Sequence, residues 1–205
     1  TDPLSRILGG IAIAGCAISV ACDLLGAALS ERIGLVRDTI SNLAAGKWDI
    51  LSDLGIYAFV VGVLAVTIGL VRWRVSRWDW RLGTVLLVVL ALDYTLIAAY
   101  EAYSTGEGMQ IHYKLVYLMG IAFPLTVLLT AGQFYEIDRR LGIALYIGGV
   151  VWALAAPFLF VVPTGWDGLY ERALAFGKLG WFVTMGVMIW RDPDIVRRVP
   201  EDERS

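Results

Sequence analysis

Ten polar side chains stand where chemistry could occur in an otherwise apolar chain: Asp23, Asp38, Ser41, Asp53, Asp93, Tyr100, His112, Lys114, Glu171 and Lys178. Ionisable groups at membrane depth are costly, so they turn toward a bundle interior or a wet cavity, pair with one another and mark candidate sites. Acids, a few bases and tyrosines gathered under one rim would suit a zwitterionic or polar ligand such as a lipid headgroup. Helical rise puts Asp23 ~9 Å, Asp93 ~10 Å and Lys178 ~13 Å below the same ends of their helices. Those depths predict a buried Asp–Lys contact joining three spans. Tyr100 falls two turns from Asp93 on one stripe, and Glu171 stands in the same relation to Lys178. Tyr57 lies one turn from Asp53, and Tyr117 three residues from Lys114. Asp53, Glu101, His112, Glu171 and Arg172 lie near expected helix ends, where solvated caps or snorkelling side chains also account for a charge.

A serine (Ser41 or Ser19), His112 and an aspartate are the residue types of a nucleophile, base and orienter. They fall on separate elements, and no local motif fixes their geometry. The single histidine is too few for the usual zinc hydrolase or for a bis-histidine haem. Cys16 and Cys22, six positions apart in one apolar run, face different sides and read as small core residues rather than a disulfide or redox pair. An enzyme is therefore the less favoured reading, and the sequence names no cofactor.

The elements that must position these residues are membrane helices. The chain has 205 residues, 58% hydrophobic and 18% charged, which is too greasy for a soluble domain. Apolar runs cover 7–29, 51–71, 82–100, 111–131, 141–162 and 169–190. A span needs about 20 apolar residues, and backbone in lipid must satisfy its own hydrogen bonds. The expected fold is all-α: an integral membrane six-transmembrane-helix bundle in one domain, 1–205, with a flexible charged tail at 191–205. Ile13-Ala14-Gly15-Cys16 looks like a lipoprotein cleavage box, but the apolar run continues past Cys16, so a retained first helix is expected.

Arginines set the orientation. Arg6, Arg72, Arg74, Arg77, Arg81, Arg139, Arg140, Arg191, Arg197, Arg198 and Arg204 fall on one side, against Arg32, Arg37 and Lys47 on the other. Both termini are therefore expected in the cytoplasm, and the protein in the cell inner (plasma) membrane of a prokaryote. Trp48, Trp73, Trp78, Trp80, Trp166 and Trp190 fall near helix ends, as an aromatic belt would. The longest connection, 30–50, predicts a short outer helix over 39–45, capped by Asp38 and closed by Gly46, with Asp49 or Ser52 capping the next span. Pro124 and Pro157 fall inside the fourth and fifth spans, where each removes a helical hydrogen bond.

Arg37-Asp38-Thr39-Ile40-Ser41-Asn42-Leu43-Ala44-Ala45-Gly46, set between the first two spans, resembles the signature of a prokaryotic membrane family catalogued as domain of unknown function 998. The six-helix layout and a histidine opening the fourth span, here His112, are similar too. The resemblance implies the fold and an outward location for Asp38, Ser41 and His112; it implies no reaction.

Three functions remain open. The first is binding of a polar or lipidic ligand in an outward pocket. The second is an accessory subunit of a larger membrane complex, suggested by small residues (Gly9, Gly10, Ala14, Gly15, Gly62, Gly69, Gly142, Gly148, Gly149) that let helices approach closely. The third is an intramembrane hydrolase. The charge-free cytoplasmic half argues against a channel, which lines its whole path with polar groups. The absence of a basic patch beyond short arginine clusters argues against a nucleic-acid partner. Membrane lipids and other transmembrane subunits are the partners the sequence allows.

Overall fold

The computed structural model describes residues 2–31, 33–44, 47–100 and 107–191. Gly46, Glu101 and the tail from 192 onward, each given a role above, lie outside them. The elements run α1 (Pro3–Leu29), α2 (Ile40–Ala44), α3 (Asp49–Arg72), α4 (Trp78–Ala99), α5 (Glu107–Ile137), α6 (Arg139–Ala155), a 3-10 segment (Ala156–Phe160) and α7 (Asp167–Arg191). No strand occurs among the described residues. Among the described residues six helices are long and apolar enough to cross a membrane.

α1 packs against α3 and α7, α3 against α4, α4 against α5 and α5 against α6, while α6 and α7 touch only sparsely. Small residues set the closest approaches. A Cβ on Gly9 would lie 2.5 Å from the Gly186 carbonyl oxygen, and one on Gly15 2.5 Å from that of Ala58. A side chain at either would push α1 off its neighbours, which is how membrane helices use glycine. Much of the small-residue pattern is thus spent inside the chain. Gly148 differs, with nothing within 4 Å of a Cβ built there.

Alternation of the spans gives the molecule two ends. One carries α2 and is called the loop end; the other carries Arg72, Arg74, Arg77, Arg81, Arg139, Arg140 and Arg191. At the arginine end, Arg77 bridges α4 and α5, pairing with Asp79 at 2.7 Å and with Glu136. Asp2 caps α1 and pairs with Arg72. Trp73 and Trp80 stack with centroids 5.8 Å apart beside Phe134 and are buried. These two tryptophans belong to the core rather than to an aromatic belt. Their ring faces fill the narrow turn between α3 and α4, where Arg74 takes a left-handed φ of 55°. Trp78, Trp166 and Trp190 are exposed.

The two prolines behave differently. Pro124 sits within a continuous α5. Pro157 falls where α6 stops at Ala155 and the chain tightens into the 3-10 segment, so it ends a helix rather than bending one. Cys16 and Cys22 are free and buried.

Candidate functional site

The loop end is organised by Arg172, a residue that reads from sequence as an interfacial side chain. Its Nε donates to Asp23 Oδ2 and its Nη2 to Asp23 Oδ1, both at 2.9 Å. Its Nη1 donates to the carbonyl oxygens of Leu35 (2.9 Å), Asp38 (2.7 Å) and Gly168 (3.3 Å). The guanidinium is thus a buried bidentate partner for α1 and a clamp on the loop before α2. Such planar fork geometry is what arginine offers and lysine does not. From sequence, Asp23 and Asp93 are both depth-matched to Lys178, with Asp93–Lys178 the pair expected first; in the structure Asp23 takes Arg172 instead. The depths explain the difference: Asp23 is six positions from the end of α1 and Arg172 five from the start of α7, whereas Lys178 is eleven, or ~16 Å, along α7.

Further contacts seat the same loop. Leu169 N–H donates to Val36 O at 2.9 Å. Gly168 packs so tightly that a Cβ would stand 2.3 Å from Asp38 O. Glu171 Oε2 accepts the Ile40 N–H at 2.6 Å, at the first turn of α2. The helix is capped by Thr39, not Asp38. Thr39 Oγ1 accepts from Asn42 N–H and Asn42 Oδ1 from Thr39 N–H, both at 3.1 Å, a reciprocal pair of capping-box type. Asp38 turns back instead, accepting from Gly34 N–H at 2.7 Å and pairing with Arg37 at 3.1 Å. The Gly34 hydrogen bond first, then the Arg37 guanidinium, hold its carboxyl below the usual aspartate range. At α3, Trp48 is the cap residue; its indole Nε1 donates to the Leu29 carbonyl oxygen at 3.1 Å rather than capping the helix. Asp49 is the first helical residue, and Ser52 is buried inside the helix.

Beneath α2 lies a cavity of about 420 Å³, within the range of pockets that enclose one small organic molecule. Its walls come from the loop-end halves of α3, α4, α5 and α7, from α2, from Trp152 and from the 3-10 segment. Most of the lining is apolar, including Phe59, Ile97, Ile121, Trp152, Phe160 and Leu174. Five of the ten candidate residues line it: Ser41, Asp53, His112, Glu171 and Lys178. Ser52 joins them with a buried hydroxyl that has no hydrogen-bond partner.

The other five lie elsewhere. Asp23 is committed to Arg172 beside a smaller void of about 50 Å³. Asp38 belongs to the loop. Asp93 is 1% exposed and neither carboxylate oxygen has a hydrogen-bond partner among the described residues, so a direct Asp93–Lys178 bond is not made. Tyr100 is exposed and contributes its carbonyl oxygen, 2.8 Å from His112 Nδ1. Lys114 is exposed on the outside of α5.

A carbonyl oxygen only accepts, so His112 Nδ1 carries the proton in this hydrogen bond. The imidazole is bonded to backbone, and no contact joins it to a serine hydroxyl or an aspartate among the described residues. The nucleophile–base–orienter arrangement is therefore not assembled. No group of three metal-ligating side chains occurs among the described residues either.

Lys178 Nζ lies 4.5 Å from the Tyr94 ring centroid, 5.3 Å from that of Phe59 and 3.6 Å from Met119 Sδ. Tyr94 packs edge-on against Phe59 at 5.1 Å, and Phe59 against Phe182 at 5.0 Å. The ammonium is thus boxed by π faces and a thioether.

Six apolar helices around a charged, one-ended interior define a multi-pass membrane protein. Residues 13–188 match the model of the family described as protein of unknown function (DUF998), and the chain belongs to that family. No curated protein and no solved structure matches it.

Proposed function

We propose that this protein binds an amphiphilic ligand in the cavity beneath α2, with the ligand's polar part among Ser41, Asp53, His112, Glu171 and Lys178. The supporting observation is the cavity's composition: a largely apolar enclosure of about 420 Å³ with its charged and hydrogen-bonding residues drawn from four different helices. Fully apolar cavities suit apolar guests, and fully polar ones fill with water; this one suits a molecule with both characters. The arginine-rich end faces the cytoplasm in this reading, as the positive-inside rule requires. The cavity then lies in the outer half of a prokaryotic plasma membrane, where a lipidic ligand would reach it.

The subunit and hydrolase readings have less behind them. The buried glycines are occupied by the chain's own helices, and His112 lacks the partners of a catalytic base.

Gly120 provides the test. It lines the cavity, and a Cβ there meets nothing within 4 Å. Gly120→Phe therefore fills the cavity without a backbone clash, and replacing a helical glycine favours the helix. Gly148→Phe is the control, on an exposed face away from the cavity. Native mass spectrometry of protein extracted in mild detergent is expected to show a retained small molecule in the parent and in Gly148→Phe, and none in Gly120→Phe. Equal retention in all three would sink the reading.

A further inference from the structure

Among the described residues Lys178 is the one lysine or arginine that lines the cavity, and its contacts there are two rings and a sulfur. Aromatic faces attract an ammonium but carry no net charge to neutralise it. Glu171 and Asp93 lie close enough for their charges to act on Lys178, but neither makes a direct bond to it among the described residues. Glu171 is seven positions closer to the loop end, with Oε2 on the Ile40 amide. Asp93 makes no hydrogen bond to any group. Lys178 is partly buried, and although the charges of Glu171 and Asp93 act on it, it makes no direct ion pair among the described residues; membrane-embedded lysines ordinarily pair directly. Helical side chains lean toward their N-terminus, which for α7 is the loop end, so the ammonium is carried toward α2.

We infer that the direct partner Lys178 lacks within the chain's described residues belongs to the ligand: the cavity takes a single-chain amphiphile whose carboxylate or phosphate binds Lys178. This rests on the cavity being a binding site and adds the charge and class of the occupant. A volume of about 420 Å³ matches one compact group or chain segment, which is why a single chain is the occupant proposed. Lys178 is then the specificity-determining residue, because it rejects a neutral headgroup of the same shape.

The test uses delipidated full-length protein in a neutral detergent, titrated with oleate, oleyl phosphate and oleyl alcohol and read by native mass spectrometry. Oleate and oleyl phosphate are expected to bind at least about tenfold more tightly than the alcohol, as a charge-assisted bond requires. Lys178→Met is expected to bring all three to the alcohol's affinity, and Lys178→Arg to keep the preference. An unchanged melting temperature of Lys178→Met verifies that the fold is kept, and Lys178→Arg keeps the charge if it is not. Acetate and inorganic phosphate are expected not to displace oleate; displacement would overturn the requirement for a chain. Equal binding of acid and alcohol to the parent, with both lost in Gly120→Phe, would overturn the role of Lys178 and leave the cavity reading standing. Binding untouched by Gly120→Phe would overturn the cavity reading itself.

Discussion

Asp23→Ala is the most informative single change at the loop end. The pair it breaks is bidentate at 2.9 Å, with side chains only 4% (Arg172) and 11% (Asp23) exposed. Removing the acid strands a buried guanidinium that still holds three carbonyl oxygens and cannot turn to solvent without releasing the loop. Breaking one partner of a buried pair costs about 3–5 kcal/mol. At roughly 2–4 °C per kcal/mol for a chain of this size, the melting temperature should fall by about 6–20 °C. Thermal unfolding in detergent, followed by circular dichroism, measures it. Arg172→Met should cost a similar amount and also free residues 33–38, seen as faster amide exchange there. The double variant should lose less than the two single losses summed, because each single change leaves a stranded partner that the double removes. A drop below about 2 °C for Asp23→Ala, the behaviour of an exposed ion pair, or strictly additive losses, would refute the clamp.

Three other outcomes follow from the same geometry. Gly168→Ala places a methyl 2.3 Å from the Asp38 carbonyl oxygen; since backbone must yield, it should cost about 1–3 kcal/mol, measured as a lowered melting temperature with the loop displaced. Thr39→Ala removes the α2 cap and should cost about 1 kcal/mol, read as faster amide exchange in Asn42 and Leu43. Asp38 sets a pH dependence: its folded-state pKa lies below the ordinary aspartate value, so its contribution is present above that value, about 3.9, and is lost as pH falls through the lower folded-state value. Amide protection of Gly34, after correction for the intrinsic exchange rate, should be flat from pH 7 to 5 and decline below about pH 4, and Asp38→Asn should remove that decline.

The spans were legible because lipid admits few solutions: long apolar runs must be helices, and the six in the structure match the six in the sequence. The short helix in the first connection was legible too, although its cap was not. Thr39 and Asn42 cap each other three residues apart, and that pattern was available beside the more familiar aspartate. The pairing of charges was harder. Depths counted from assumed helix ends placed Lys178 and Asp93 nearly level, but α7 begins at Asp167 and α4 ends at Ala99, which leaves Lys178 ~7 Å deeper along its helix. Counting Arg172 among the depth-matched bases would have found Asp23 its partner, since both lie within two turns of the loop end. Trp73 and Trp80 were misassigned for a related reason: position near a helix end does not say which way a ring points. The cavity itself could not be read from the sequence, because it depends on where α6 gives way to the 3-10 segment and on how sparsely α6 meets α7.

An experimental density map of the protein purified from its own membranes in a mild detergent is the most direct test of the central claim. Density for a bound amphiphile beneath α2, with its polar end within hydrogen-bond distance of Lys178 Nζ, is the expected result. A cavity closed by repacked side chains, or filled only by ordered water with Lys178 bonded directly to Asp93, would contradict it.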